Sequence, residues 1–230
     1  MVDVLLPGDI LPETSSLKVV GRGIVKRIGK DDELVAIAPG LRNAREGKHW
    51  LDIHARRYIP QKGDRIIGIV CPNVSGDNFK IDIGCADNAF VNFLSFEGAT
   101  RRNRPSLKTG DLIYATVISA SKHAEPELSC VDSEGRAKGM GVLPPNGFVF
   151  KTSLNLVRRI LSPSSRLLPL IGRHLKFEIA CGVNGRVWVA GDKHNEICAV
   201  CRMIRDSEFV PEDEILDFVE EGIGKLRNIS

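Results

Sequence analysis

The sequence predicts a multidomain protein that is mainly β with an additional α+β part. Three Gly-Asp turns, at residues 8–9, 63–64 and 110–111, each precede an apolar run with strand character, which is a strand-entry signal. After about residue 139, helical periods join the strand pattern. A chain of 230 residues suits two or three small domains. We expect an N-terminal β-domain, a β-barrel and a C-terminal α+β domain, over residues 1–58, 59–136 and 137–230.

The N-terminal β-domain is indicated by two short strand candidates, VVGRGIVKRIG and ELVAIAPG. Glycines and charged turns separate them. The barrel is indicated by five β-runs: GDRIIGIVCPNV, NFKIDIGC, NAFVNFLSF, GDLIYATVISAS and ELSCVD. The connections include SGD, an Arg-rich loop and KHAEP. Five short strands in this length are typical of a Greek-key barrel of the oligonucleotide-binding (OB) kind, whose second and third strands commonly carry the ligand face.

Alternation along the second run predicts which side chains face outward. Phe79, Ile81 and Ile83 alternate with Lys80 and Asp82. One set therefore faces the barrel core and the other faces water, where Lys80 can meet a phosphate.

Two phenylalanines follow in the third run. Phe90 and Phe93 are three apart and lie on opposite faces of a regular strand, so at most one can stack on a base. We take Phe90 as the candidate and assign the other to the core.

The loop GATRRNRPSLKTG is the most suggestive stretch for a polyanion partner. It carries Arg101, Arg102, Arg104 and Lys108 between two barrel strands. These side chains can make sequence-independent contacts with a nucleic-acid backbone. A patch for an acidic protein neighbour and a solvated loop without a partner remain alternatives.

The C-terminal part begins with a helix signal. Thr152 or Ser153 is placed to cap the run LNLVRRILS, in which Leu154, Val157 and Leu161 mark one face. Arg158 and Arg159 lie off that face. Two strand-like runs, KFEIAC and RVWVAG, and two helical runs, DKHNEICAVCRMIRDSE and PEDEILDFVEEGIGKLRN, complete an α+β domain that is KH-like in content.

The segment Gly182-Val183-Asn184-Gly185 has the Gly-x-x-Gly spacing by which KH domains clamp RNA. That clamp joins two helices, whereas this segment lies between two apolar runs. Asn-Gly is also the strongest short hairpin signal. We therefore interpret the segment as a structural turn, with Gly182 and Gly185 supplying backbone freedom.

No catalytic or metal site is indicated. Asp82, Asp87 and Asp111 fall at strand ends or turns, where an Asp is usually a turn former. Cys198 and Cys201 lack the second ligand pair of a zinc site, and the stripe Ile197, Val200, Cys201, Ile204 assigns these thiols to a helix core. We expect no enzyme activity, no cofactor, no metal and no disulfide.

Charge is unevenly distributed along the chain. The net charge of +3 is mild, but the first two thirds of the chain contain clusters of arginines, such as Arg56 and Arg57, whereas the C-terminal end is acidic. No apolar run reaches the about 18 residues of a membrane span, and the N-terminus is unlike a signal peptide. We expect no membrane contact and a cytosolic or nuclear location.

Together, YIPQKGDRIIGIV, the barrel with its Arg-rich loop and GVNGRVWV resemble the S1/KH cap subunits of the eukaryotic RNA exosome. The resemblance covers nearly the whole chain. It implies an S1-type OB-fold barrel, a KH-like domain, and a non-catalytic subunit that sits with other cap subunits on a six-subunit ring. Such a subunit guides the 3′ ends of single-stranded RNA to attached ribonucleases, in RNA decay and rRNA processing. It also implies that Gly182, Asn184 and Gly185 pack near the S1–KH junction and that Trp188 is a packing anchor. The implied location is the nucleus and nucleolus, and also the cytoplasm.

A free-standing regulator that binds single-stranded RNA, such as a translation or splicing factor, is the alternative. Exposed apolar residues on the N-terminal domain and the C-terminal helices would favour subunit docking. Basic residues with exposed aromatic rings there would favour independent RNA binding.

Overall fold

The computed structural model describes residues 3–11, 18–27, 29–45, 47–55, 57–75, 77–121 and 124–229. Arg56 and the Lys122-His123 pair of the predicted turn lie outside these residues. The chain divides into two compact units, Met1–Ala55 and Arg56–Ser230. In the described part, no helix is both long and apolar enough to cross a membrane.

The first unit consists of two small sheets. Its strands, β1 to β7 in chain order, are Asp3–Leu5, Ile10–Leu11, Lys18–Val19, Ile24–Arg27, Lys30–Ala36, Gly40–Arg45 and Lys48–Asp52. One sheet has the order β1-β6-β7-β3 and the other β2-β5-β4. Leu5, Leu11, Ile24, Leu34 and Leu51 form most of its core. The predicted β-domain is confirmed, but β6 and β7 were missed, because GLRNAR and KHWLD contain no β-branched residue.

The second unit starts with the predicted five-stranded barrel, which is confirmed. Its strands, β8 to β12, are Arg65–Ser75, Asn78–Asp82, Ala89–Asn92, Leu112–Ser121 and Ala124–Ser129. The order β12-β10-β9-β8-β11 closes because β11 also pairs with β12. Ile66, Ile81, Val91, Ile113 and Leu128 fill the interior, with no exposed surface. A short strand, β13 (Gly141–Val142), extends the sheet beside β11.

The α+β domain packs helices against a three-stranded antiparallel sheet. Its elements are β14 (Phe148–Lys151), α1 (Leu154–Leu161), α2 (Leu167–Gly172), β15 (Glu178–Gly182), β16 (Arg186–Ala190), α3 (His194–Asp206) and α4 (Ile215–Ile229). The sheet order is β14-β16-β15. Val157 of α1, Ile171 of α2, Val187 of β16, Ile204 of α3 and Ile215 of α4 meet in one core.

Helix α1 is capped by Ser153, whose Oγ accepts a hydrogen bond from the Leu156 N–H at 3.0 Å. The predicted capping position is thus confirmed, but the predicted apolar face is wrong at Leu161. That residue ends the helix and is 47% exposed, whereas Leu156 and Ile160 are buried. Helix α2 was not predicted, because it has only 6 residues and contains Pro169.

The cysteines are all free thiols. The predicted stripe of Ile197, Val200, Cys201 and Ile204 on α3 is buried, as expected. The assignment of Cys198 to the same core is wrong, because Cys198 lies on the exposed side of the helix. Burial raises the pKa of the Cys201 thiol to about 11, with a further contribution from the neighbouring Cys198.

Candidate nucleic-acid interface

The outer face of the barrel brings Lys80 and Phe90 together. Lys80 of β9 and Phe90 of β10 are directly paired across the antiparallel ladder, so their side chains share one face. Ile81 and Ala89, the next pair, point into the core and are fully buried. Lys80 and Phe90 both keep part of their surface exposed. An ammonium group beside an aromatic ring suits a phosphate and the base next to it.

An acidic neighbour moderates this face. The Lys80 Nζ lies 3.9 Å from Glu125 Oε1 of β12, and both side chains are well exposed. A phosphate that approaches Lys80 must therefore compete with a weak surface ion pair.

Phe93 belongs to the core, whereas the ring of Phe90 remains accessible. Strand β10 ends at Asn92, whose side chain accepts a hydrogen bond from the Leu94 N–H at 2.9 Å and starts a 3₁₀ turn. Phe93 opens that turn and is only 4% exposed. The two rings therefore do not form one stacking platform.

Two arginines of the Arg-rich loop are exposed at its tip, and the third is held by contacts with the barrel. Thr100 and Asn103 close a tight turn through reciprocal backbone hydrogen bonds of 3.0 and 3.1 Å. Arg101 and Arg102 form the exposed tip of that turn. No acidic side chain within the described ranges forms an ion pair with either of them.

Arg104 is engaged with the barrel itself. Its Nη2 lies 3.2 Å from Asp77 Oδ1, and its guanidinium stacks 4.4 Å from the centre of the Phe93 ring. These contacts anchor the loop beside the start of β9. Lys108 is exposed further along the loop, and its backbone N–H donates to Asp111 Oδ2 at 2.7 Å. Asp111 thus stabilises a turn.

The segment 182–185 is the turn of the β15–β16 hairpin, and it lies against the barrel. Gly185 has φ of +80° and its N–H donates to the Gly182 carbonyl at 2.9 Å. The Val183 N–H donates to the Arg65 carbonyl at the start of β8, at 2.9 Å. The hairpin of the α+β domain is therefore hydrogen-bonded to a barrel strand.

Asn184 forms the centre of this junction. Its Oδ1 accepts from the Ile67 N–H at 3.3 Å, and its Nδ2 donates to the carbonyls of Ile67 and Ile83 at 2.8 and 2.9 Å. Asn184 is 8% exposed, so these polar groups depend on one another rather than on water.

Arg186 and Asp82 form a second link that sequence reasoning missed. Arg186 Nη2 lies 2.6 Å from Asp82 Oδ2, and Nη1 donates to the carbonyls of Asp82 and Ile67 at 2.5 and 3.3 Å. The Arg186 side chain is only 3% exposed. Asp82, which the strand pattern pointed toward water, therefore faces the α+β domain. The available signal was an arginine next to the apolar residues of RVWVAG, since a buried arginine requires a partner.

Several groups act on the Asp82 carboxyl. Partial burial favours its neutral form, but the hydrogen bond from the Gly84 N–H and the contact with Arg186 outweigh this. The pKa of Asp82 therefore lies below its ordinary value.

The two glycines of the turn are required for different reasons. A Cβ on Gly182 would lie 2.6 Å from the Ile67 backbone nitrogen, so Gly182 permits the close approach to the barrel. A Cβ on Gly185 would lie 2.8 Å from the Thr152 carbonyl oxygen, at a backbone φ that L-residues rarely adopt.

Trp188 packs where the same two domains meet. It is 3% exposed and clusters with Ile67, and Leu112 and Tyr114 of the barrel pack against this cluster. The indole also fills the space above Gly147, where a Cβ would lie 2.1 Å from the ring.

The arrangement therefore consists of an open barrel face with a basic loop and a buried turn that holds two domains together. Within the described ranges, no cluster of three or more His, Cys, Asp and Glu side chains is placed to hold a metal ion.

A barrel of the oligonucleotide-binding kind followed by a KH-like domain places this chain in the class of RNA-binding proteins that combine these two modules. Residues 58–141 match the S1 domain of exosome complex component RRP40, and residues 147–195 match the KH domain. A solved structure described as an exosome complex RNA-binding protein superimposes with a TM-score of 0.59 at 22% identity, over 74% of this chain and 99% of its own. This similarity supports the fold.

Relatives that match over most of their length show the family. The chain is 35% identical to human exosome complex component RRP40, over 92% of this chain and 86% of the relative. It is 42% identical to the protein of the same name from Drosophila melanogaster, over 87% of each, and 34% identical to that from Schizosaccharomyces pombe, over 96% and 92%. The chain belongs to the RRP40 family of exosome complex components.

Proposed function

We propose that this protein is a non-catalytic RNA-binding cap subunit of the RNA exosome. It stabilises the ring of the complex and guides the 3′ ends of single-stranded RNA toward the exoribonuclease subunits, in RNA decay and rRNA maturation. Family membership supports assembly into the exosome. The location that goes with this function is the nucleus and nucleolus, and also the cytoplasm.

The observation that carries this proposal is the burial of the Gly-x-Asn-Gly turn. Since the Asn184 side chain is bonded to Ile67 and Ile83, its polar groups are not free to hold an RNA backbone, although the turn has the Gly-x-x-Gly spacing of a KH clamp. We propose that the RNA contacts the barrel instead. Lys80, Phe90, Arg101, Arg102 and Lys108 contact the RNA there, and Arg104 holds the loop in place.

Two of the three carboxylates considered as catalytic candidates have structural roles that support a non-catalytic subunit. Asp82 accepts hydrogen bonds from the Arg186 guanidinium and the Gly84 N–H. Asp111 accepts from the Lys108 N–H. We assign the ribonuclease chemistry to other subunits of the complex.

An apolar row on the first unit favours subunit docking over the free-standing alternative. Ile10 and Val25 pair with Val35 from either side, so the three side chains share one face of the β2-β5-β4 sheet. Ile10 is 50% exposed, Val25 is 43% exposed, and Ile37, two residues along from Val35, is 58% exposed. We propose that the exosome ring covers this row, as such exposed faces usually mark a protein interface.

Affinity purification of the tagged chain after nuclease treatment tests the proposal. A stoichiometric set of ring subunits with 3′ exonuclease activity is the expected result. Ile10→Lys should reduce the recovery of the ring, whereas Glu134→Lys, an exposed barrel change, should not. Recovery of the wild-type chain alone, with RNA affinity intact, would contradict the cap-subunit function and support the free-standing regulator.

A further inference from the structure

Phe209 is 90% exposed, far more than any other large apolar residue in the described part of the chain. It ends the 3₁₀ turn Ser207–Phe209 between α3 and α4. An exposed aromatic ring of this kind is typical of a binding anchor when its backbone is held rigid.

The backbone around Phe209 is held by a single guanidinium. Arg159 of α1 donates through Nη1 to the carbonyls of Ser207 and Glu208, at 3.1 and 3.3 Å, and through Nη2 to that of Val210 at 2.5 Å. These carbonyls precede and follow Phe209. The Arg159 Nε also donates to Glu212 Oε1 at 3.0 Å. The turn is therefore fixed on both sides of the ring.

The base of the turn is also fixed. Ser207 has no exposed surface, and its hydroxyl donates to the Ile204 carbonyl at 2.7 Å. The ring thus projects from a pre-organised turn, and little further ordering is needed when a partner binds.

The chain segment that carries the ring is acidic, although Arg159 pairs with Glu212 within it. The segment from residue 206 to 217 contains six acidic residues and no Lys, Arg or His. Asp206, Glu212, Asp213, Glu214 and Asp217 are exposed. Such a surface repels a phosphate backbone and favours a cationic protein surface.

We propose that Phe209 and the acidic segment 206–217 form a docking knob for a partner protein whose apolar pocket is rimmed by Lys and Arg. The ring supplies the contact at the centre of the interface, and the carboxylates select the partner and accelerate its association. These residues differ from those on the barrel that we assign to RNA. They also differ from those on the first unit that we assign to contact with the exosome ring. The docking knob does not depend on either assignment.

Site-specific photocrosslinking in the intact complex tests the proposal. The full-length chain with Phe209→p-benzoylphenylalanine is expressed in place of the wild type, irradiated, purified under denaturing conditions and analysed by mass spectrometry. Phe148, a 55% exposed phenylalanine of the same domain, is the matched control position. We expect position 209 to crosslink to one peptide of a partner protein, in which Lys or Arg residues flank the crosslinked site. We expect no such crosslink from position 148. Crosslinks to RNA, the same peptide from both positions, or no crosslink while the complex is recovered would overturn the proposal.

Affinity measurements with the identified partner then distinguish the contribution of the Phe209 ring from that of the acidic residues. Phe209→Ala should weaken binding at least about tenfold, as for an anchor residue. Asp206→Lys with Asp213→Lys should weaken it by a similar factor and reduce its salt dependence, while Glu134→Lys should have no effect. A cation near the C-terminus of α3 suits the helix dipole, so the charge change at 206 should not unfold the domain. Unchanged affinity in the Phe209→Ala variant would contradict the proposal, even where recovery of the exosome supports the proposed function.

Discussion

The Asn184 side chain pairs with both backbone polar groups of Ile67, a residue 117 positions earlier in the chain. Its amide accepts from the Ile67 N–H and donates to the Ile67 carbonyl, so it acts as an additional rung beside strand β8. One turn residue of the KH-like domain thus completes the hydrogen bonding of a barrel strand. The same contact removes the Asn184 side chain from solvent.

Replacement of Asn184 by Ala should destabilise the protein by about 2–4 kcal/mol, because the Ile67 N–H and the Ile83 carbonyl lose this partner and the Ile67 carbonyl keeps only Arg186. Chemical denaturation measures this change in the free energy of unfolding. Asn195→Ala, an exposed change on α3, is the control and should have little effect. If Asn184→Ala left stability unchanged and abolished RNA binding, the turn would be an RNA contact after all.

Alanine should be harmful at two glycines of the hairpin and favourable at a third glycine elsewhere. Gly182→Ala forces a Cβ toward the Ile67 nitrogen, and Gly185→Ala adds strain at a positive φ, so each should lower the melting temperature. Gly224 lies in α4 with open space around it, and Gly224→Ala should stabilise the helix by up to about 1 kcal/mol. Equal effects of Gly185→Ala and Gly224→Ala would contradict the structural role of the turn.

The junction should weaken in acid. The pKa of Asp82 is lower in the folded protein than its ordinary value of 3.8, which the unfolded chain retains. Its contribution to stability is therefore complete above the unfolded-state pKa and is lost as the pH falls through the folded-state pKa. The difference in the free energy of unfolding between the wild type and Asp82→Asn should shrink as the pH falls below about 4. A difference that grows in acid would have the wrong sign for this ion pair.

The loop arginines should separate into two kinds in RNA binding. Arg101→Ala with Arg102→Ala should reduce the slope of log affinity against log salt by about 1.4, since each removed phosphate contact accounts for about 0.7 on a single strand. Arg104→Ala should also affect the placement of the loop, because Arg104 contacts Asp77 and Phe93. Binding to an oligouridylate over a salt series provides the measurement. Arg158→Ala, an exposed change on α1, is the control, and an unchanged slope in the Arg101/Arg102 variant would remove this loop from the RNA path.

Local patterns predicted the barrel and the hairpin well. The alternation around Lys80 identified the outer face of β9, and Asn184-Gly185 identified a turn between two strands. These features depend on residues that are neighbours in the sequence. The predicted apolar face of α1 extended to Leu161, but this residue is exposed in the structure. The sequence could not indicate which neighbouring element covers the end of the helix.

Long-range partners were not predictable in the same way. Nothing local to Asn184 or Arg186 identifies Ile67 or Asp82 as their partners, which are more than a hundred positions away. The same holds for Arg159, which reaches the turn at Phe209 from another helix. Only the three-dimensional fold brings these groups within hydrogen-bonding distance.

The central claim is that RNA contacts the barrel face and loop while the Gly-x-Asn-Gly turn is structural. Ultraviolet crosslinking of the full-length chain to an oligouridylate, followed by mass spectrometry, tests it most directly. We expect crosslinked peptides that contain Lys80, Phe90 or residues 100–108, and none that contains residues 182–186. Crosslinks concentrated at residues 182–186, with the barrel peptides unmodified, would contradict the account.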